Sequence, residues 1–389
     1  MEPKNWNVYL FRDILERVEV PVNVESNKEY VQIGIRSHGK GLFYKEPVLG
    51  KALGNKQVFW IQPNCFILNV VFAWEQAITK TTENEIGMIG SHRFPMYRPK
   101  NDLVDIDYLI YYFLTKRGTD ILEAASPGGA GRNRTLGQER FLKSKITLPP
   151  LSEQQKIAAI LSTQDKVIEL KEKLLAQKQQ QKKYLMQQLL TGKKRLPGFD
   201  RKWNYVKANE IFKSIVDKSH GGKLEVLSST QDKGIVPRSQ VDIDIKYNEN
   251  SLSTYKKVCE GDFVISLRSF QGGIEYSNYA GIVSPAYTVL RAIVKIDAGY
   301  YKQFFKSSNY IKRLNVAVYG IRDGKQISYD DFGQIKIPVP PIEEQREVAK
   351  VLSTADHEID LLQKSIEAEK QKKKALMQLL LTGKVRVKI

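Results

Sequence analysis

Pro149-Pro150-Leu151-Ser152-Glu153-Gln154 opens a run that closes on Leu185-Met186-Gln187-Gln188-Leu189-Leu190-Thr191-Gly192-Lys193. Beginning 191 residues later, Pro340-Pro341-Ile342-Glu343-Glu344-Gln345 opens a second run, closing on Leu376-Met377-Gln378-Leu379-Leu380-Leu381-Thr382-Gly383-Lys384. About half of the aligned positions are identical, without a gap. One unit of this chain therefore occurs twice.

The repeated segment reads as a long helix. The prolines disfavour an earlier helical start, Ser152 with Gln155 three positions on forms a capping-box pattern, and Gly192 and Gly383 supply left-handed stops. Between cap and stop lie about 39 residues, which is about 58 Å of helix. Alternate steps of four and three from Ile157 pass through Leu161, Gln164, Ile168, Lys171, Leu175, Lys178, Lys182, Leu185 and Leu189. The same steps from Val348 pass through Leu352, Ala355, Ile359, Leu362, Ile366, Glu369, Lys373, Leu376 and Leu380. Each series is a coiled-coil seam with polar positions in its C-terminal half, and neither helix can cover such a seam alone. Both partners are present in one chain, so the expectation is antiparallel packing of the two helices, with a pseudo-two-fold internal repeat and a globular segment at each end. Homodimerisation through each helix is the alternative.

The repeat extends beyond the helices. Trp6-Asn7, followed by Asp13-Ile14-Leu15, returns at the same spacing as Trp203-Asn204, followed by Glu210-Ile211-Phe212. Phe141 and Ile146 match Phe332 and Ile337. Between these anchors the globular segments diverge, the pattern of a shared frame carrying different working surfaces. Four segments follow: a first globular domain over 1–148, a central helix over 149–195, a second globular domain over 196–339 and a C-terminal helix over 340–389.

A chain of 389 residues with 42% hydrophobic content can bury a core in each of two or three domains. Its formal charge of +18 points to a polyanionic partner, nucleic acid first and an anionic membrane surface second. The N-terminus lacks the pattern of a secretory signal, and the longest apolar stretch, Cys65 to Trp74, is too short to span a bilayer. A soluble, cytoplasmic protein is expected, with Cys65 and Cys259 as buried thiols.

Each globular segment reads as mixed strand and helix. Strand-like runs occur at Tyr30 to Ile35, Gln57 to Ile61 and Asp262 to Leu267, and helical stretches at Ile106 to Leu122 and Gly299 to Leu314. The fold class is therefore α+β, two mixed α/β domains joined by two long helices. Loops rich in Gly, basic and amide residues recur in both halves, and such loops suit groove reading because Arg and Lys grip guanine or phosphate while Asn and Gln pair with adenine. The candidates for DNA contact are Arg36, His38, Lys40, His92, Arg93, Arg132, Asn133 and Arg134 in the first half. In the second they are His220, Lys223, Arg268, Gln271, Arg322, Lys325 and Gln326.

Catalytic constellations are missing from the sequence. Thr191-Gly192-Lys193 lacks the upstream glycine of a phosphate loop and follows a helix instead of a strand. Four scattered histidines make a histidine metal cluster improbable. Asp242 and Asp244 beside Lys246 are the one local pair that a metal-dependent nuclease could use, and no Asn-Pro-Pro-Tyr methyltransferase motif occurs.

The runs Leu148 to Ala158 and Leu185 to Leu196, with their repeats, resemble the specificity subunit of type I restriction-modification enzymes over essentially the whole chain. The resemblance implies two target-recognition domains, each reading one half of a split, asymmetric sequence in double-stranded DNA. It implies helices that set the unread gap and dock two methyltransferase subunits, joined by restriction subunits, around one specificity subunit. S-adenosylmethionine, ATP and Mg²⁺ would belong to those partners, with no catalytic residue, metal or cofactor in this chain. The competing classes are a self-sufficient nuclease or modification enzyme and a coiled-coil DNA-binding adaptor.

Overall fold

The computed structural model describes residues 5–54, 57–128, 134–241, 249–267, 269–317 and 327–388. The chain is an α+β protein that divides into two compact units, Met1–Lys171 with Ser365–Ile389, and Glu172–Lys364. The division passes through both long helices, Leu151–Leu189 and Ile342–Leu380. Each unit thus holds one globular domain, the first part of one helix and the last part of the other. The segments expected from the repeat mark elements of sequence, whereas packing groups a domain with pieces of both helices.

Each helix has 39 residues, as the spacing predicts. Its start differs from expectation. The central helix begins at Leu151, and the Pro150 carbonyl accepts the N–H groups of Glu153 at 2.9 Å and Gln154 at 3.1 Å. Ser152 is exposed inside the first turn and does not cap it, because the proline already occupies the capping position. At the other end Gly192 and Gly383 both adopt φ +68°, a left-handed stop that L residues with a side chain rarely take.

Every seam position on both helices is buried or half-buried. Within the first unit the helices run antiparallel: Glu153 meets Arg386 at 2.6 Å, Asp165 meets Lys373 at 2.6 Å and Lys171 meets Glu369 at 2.8 Å. The second unit repeats the arrangement, Glu344 meeting Arg195 at 2.6 Å, Asp356 meeting Lys182, and Glu358 meeting Lys178 at 2.7 Å. The polar seam positions Lys171, Lys178, Lys182, Glu369 and Lys373 are therefore halves of interhelical ion pairs. The apolar ones, Ile157, Leu161, Leu376 and Leu380 among them, run into the core of the first domain, and Leu185, Leu189, Val348 and Leu352 into that of the second.

The globular domains share one frame. In each, a four-stranded antiparallel sheet is built in the same strand order: Leu15–Val18, Met96–Pro99, Phe66–Leu68 and Ile78–Lys80 in the first, and Phe212–Ile215, Thr288–Ala292, Phe263–Ile265 and Glu275–Tyr276 in the second. A two-stranded ribbon pairs the start of each domain with the strand entering the long helix, Asn7 opposite Leu148 and Asn204 opposite Val339. Phenylalanines fill the centre, with Phe66 and Phe113 stacked at 5.4 Å in one domain and Phe263 and Phe305 edge-on at 5.2 Å in the other.

The helical stretches expected as single elements are each broken in two. Ile106–Phe113 and Lys116–Ala124 meet at Thr115, whose hydroxyl accepts the Gly118 N–H, and a Cβ at Gly118 would fall 2.3 Å from the Tyr112 carbonyl. Ala298–Phe305 and Ser308–Ala317 meet at Ser307, whose hydroxyl accepts the Tyr310 N–H at 3.3 Å. Hydroxyl capping outcompetes helix continuation at both joints. Among the described residues no helix is long and apolar enough to cross a membrane. Both cysteines are free; Cys65 is buried, with its thiol pushed up by that burial, while Cys259 is half-buried.

Candidate nucleic-acid interface

In the first domain the segment Val70 to Gln76 anchors three of the candidate loops. The Val70 N–H donates to the Arg93 carbonyl at 3.0 Å, and its own carbonyl accepts the Leu136 N–H at 2.8 Å. The Glu75 and Gln76 carbonyls accept the N–H groups of His38 and Gly39 at 2.8 and 2.9 Å. The Arg134 guanidinium lies 5.5 Å from the centre of the Trp74 ring, a cation held on an aromatic face. The loops carrying His38, Arg93 and Arg134 are thus fixed to one turn, whose part in this arrangement the sequence reading missed. Its signal was Trp74 closing the apolar stretch from Cys65.

His38, Lys40, His92 and Arg93 are exposed and Arg134 is half-buried, so their donors are free to face a partner. Arg36 is differently used: its guanidinium donates to the Leu42 carbonyl across its own hairpin and stands 5.3 Å from the Phe43 ring. It holds the turn between Ile33–Ile35 and Leu42–Tyr44 in shape. His38 takes the left-handed conformation at φ +61°, which tightens that turn.

In the second domain the matching hairpin is Leu227–Thr230 with Gly234–Pro237, and its exposed tip is Gln231-Asp232-Lys233. These three residues were not among the sequence candidates; the only sign was a polar trio between two short β-rich runs. The tip rests on the short helix Ser269–Gly272, where a Cβ on Gly272 would come within 2.9 Å of the Gln231 side chain. Gln271 is exposed on that helix. Lys306, at the end of helix Ala298–Phe305, donates to the Gln231 carbonyl at 3.2 Å and to the buried carboxylate of Glu275.

His220 does not offer its ring to a partner. Its Nδ1 accepts the Gly222 N–H at 3.0 Å, so Nε2 is the protonated nitrogen and donates to the Tyr255 carbonyl at 2.8 Å. It staples its own loop, on which Lys223 is exposed. Arg132, Asn133, Arg268, Arg322, Lys325 and Gln326 lie outside the described residues, as do Asp242 and Asp244.

Two buried carboxylates seat the helices on the domains. Glu153 accepts Nε and Nη2 of Arg386, both at 2.6 Å, and Glu344 accepts the same two atoms of Arg195, both at 2.6 Å. The neighbouring glutamines reach into the domains: Gln154 accepts the Asp105 N–H and Gln345 the Asp297 N–H, each at 2.9 Å. Among the described residues no group of three or more His, Cys, Asp or Glu side chains could hold a metal ion. The arrangement offers cations and amides on braced hairpin tips, which is the chemistry of phosphate and base-edge contact.

A family model described as "Type I restriction modification DNA specificity domain" matches the chain twice, over residues 23–179 and 200–370. Two curated relatives from Methanocaldococcus jannaschii, a putative type I restriction enzyme MjaX specificity subunit and the type I restriction enzyme MjaVIII specificity subunit, are each 26% identical and cover 99% of this chain. The alignments span 95% and 94% of those proteins. Among solved structures, the HsdS subunit from Thermoanaerobacter tengcongensis superposes with a TM-score of 0.57 at 21% identity, covering 99% of this chain and 98% of that one. The S subunit from M. genitalium gives 0.56 at 15% identity, covering 98% and 99%.

Proposed function

Since this chain belongs to the type I restriction-modification DNA specificity family, we propose that it is the non-catalytic sequence reader of such a complex, binding a split, asymmetric target in double-stranded DNA. The observation that carries the reading is the pair of domains built on one strand order, each presenting a braced hairpin tip with different side chains. The first offers His38 and Lys40 beside Arg93 and Arg134; the second offers Gln231 and Lys233 beside Gln271. Different donors on the same frame give two half-sites that differ in sequence.

In this reading one copy of the chain docks two methyltransferase subunits, with restriction subunits completing the assembly in the cytoplasm, and the helix pair sets the unread gap. S-adenosylmethionine, ATP and Mg²⁺ would be bound by those partners. The test is a long-read methylome of a host expressing this chain with its methyltransferase subunit, compared with the methyltransferase alone. A split adenine-methylation motif that depends on this chain is the expected result. An assembled complex that adds no motif, or purified chain that cuts DNA with Mg²⁺ by itself, overturns it.

A further inference from the structure

We propose that Lys306 is a positioning residue for the second half-site, holding the hairpin tip Gln231-Asp232-Lys233 in its reading position through an ionic joint that has no counterpart among the described residues of the first domain. The inference rests on the reading of this hairpin as a DNA-contacting element.

The two domains hold equivalent tips by different means. In the first, the residue ending helix Ile106–Phe113 is Leu114, and Gly39 of the tip packs so closely on it that a Cβ would stand 2.7 Å from Leu114 Cδ2. Main-chain bonds from His38 and Gly39 to Glu75 and Gln76, and a hydrogen bond from Ser37 Oγ to the Glu75 carboxylate at 3.0 Å, add to that joint. In the second, the residue ending helix Ala298–Phe305 is Lys306, which reaches the tip at the Gln231 carbonyl and binds Glu275 beneath it.

Glu275 is only 2% exposed, and its second oxygen is buried with no hydrogen-bond partner among the described residues. Burial pushes its carboxyl above the usual range, Lys306 pulls it back, and Asp232 of the tip adds repulsion. Lys306 is the cation that lets the two carboxylates lie under and within one tip. Without it, Glu275 is left as a buried carboxyl with neither oxygen bonded to a cation, and the tip loses its bond at the Gln231 carbonyl. Strand register places Thr79 of the first domain where Glu275 stands in the second, since Phe66 pairs with Lys80 as Phe263 pairs with Tyr276. At the two positions that carry the ion pair in the second domain, the first domain therefore has leucine and threonine.

The experiment compares the full chain, assembled with its methyltransferase subunit, as parent, Lys306→Met and the double variant Lys306→Leu with Glu275→Thr. Each is assayed for methylation on duplexes carrying the parent's motif with single-base changes in either half. Lys306→Met is expected to lose about tenfold discrimination at the second half-site, the scale of one misplaced base contact, with the first half-site unchanged. The double variant, which removes the stranded carboxylate, is expected to recover most of it. Discrimination by Lys306→Met equal to the parent's overturns the proposal. Equal loss in both variants also overturns it, since the ionic joint with Glu275 would then not be what holds the tip. A parent complex without a split motif sinks the reading of the chain as a sequence reader, a result distinct from either. Unchanged first-half-site discrimination reports that the assembly is intact.

Discussion

Arg386 grips Glu153 with two parallel hydrogen bonds of 2.6 Å, joining the tail after the C-terminal helix to the first turn of the central helix. Glu153 is fully buried, and the Arg386 guanidinium sits 6.0 Å from the Trp6 ring. The second unit has the same fork from Arg195 to Glu344, with one difference: the Trp203 indole N–H also donates to Glu344 at 2.8 Å, whereas the Trp6 indole N–H is buried without a partner among the described residues. Removing one partner of a buried pair leaves an uncompensated charge, which costs about 3 kcal/mol where one side of the pair meets water. Arg386→Met should therefore lower the stability of the first unit by about that much, measured by chemical denaturation of the full chain. Arg195→Met should cost less, because Trp203 still serves the carboxylate. Equal losses would show that the indole bond contributes nothing.

These forks also show where the sequence was legible and where it was not. Glu153-Gln154 and Glu344-Gln345 stood in plain view as repeated residues, as did the arginines three places after Gly192 and Gly383. Their repetition identified the helices, the seam and the shared frame, because period and capping are local properties of the chain. What joins each carboxylate to its arginine is a contact across 233 positions in one unit and 149 in the other, which no local pattern encodes. The candidate loops divide in the same way. Composition singles out Arg93 and Arg134 as candidates, yet it cannot tell Lys223, which is exposed, from His220, whose two ring nitrogens are occupied. The tip at Gln231 was missed because only its pairing across the hairpin marks it as equivalent to the Arg36 to Lys40 turn.

Acid should loosen the helix pair of the first unit through Glu369. Hydrogen bonds from Lys171 and then Gln164 hold its carboxyl below the usual range. A carboxylate lowered by folding contributes stability that is present above its unfolded pKa and is lost as pH falls through its folded value. The parent should therefore lose stability as pH drops through and below the ordinary carboxylate range, and Glu369→Gln should show a shallower acid dependence. Denaturation midpoints followed from neutral to acidic pH decide this, and parallel curves would assign the acid dependence to other groups.

Arg134→Ala and His220→Ala should separate reading from scaffolding. Arg134 presents its guanidinium from the face of Trp74, so its loss should weaken or relax only the first half-site, by about 1–3 kcal/mol if it reads a base. His220 uses both ring nitrogens inside its loop, so its replacement should lower thermal stability while the methylated motif keeps its sequence. Binding measured at two salt concentrations adds a control: a phosphate contact by Arg134 would weaken all sequences alike and flatten the salt dependence.

The length of the helix pair should set the length of the unread gap, but the pairing dictates how it can be changed. In each unit the start of one helix is forked to the tail after the other, Glu153 to Arg386 and Glu344 to Arg195. An insertion in one helix alone sets those forks against the seam and should destabilise the chain instead of moving the half-sites cleanly. Four residues add about one turn, which nearly preserves the buried face, so the matched change is four residues after Gln180 together with four after His357, close to the facing pairs Lys178 with Glu358 and Lys182 with Asp356. The matched insertion adds about 6 Å of helix, equivalent to roughly two base pairs. The methylome of a host carrying that variant should show both half-sites unaltered and the gap between them longer by about two base pairs. An unaltered gap with an intact complex would mean that the spacing is set by the methyltransferase partners.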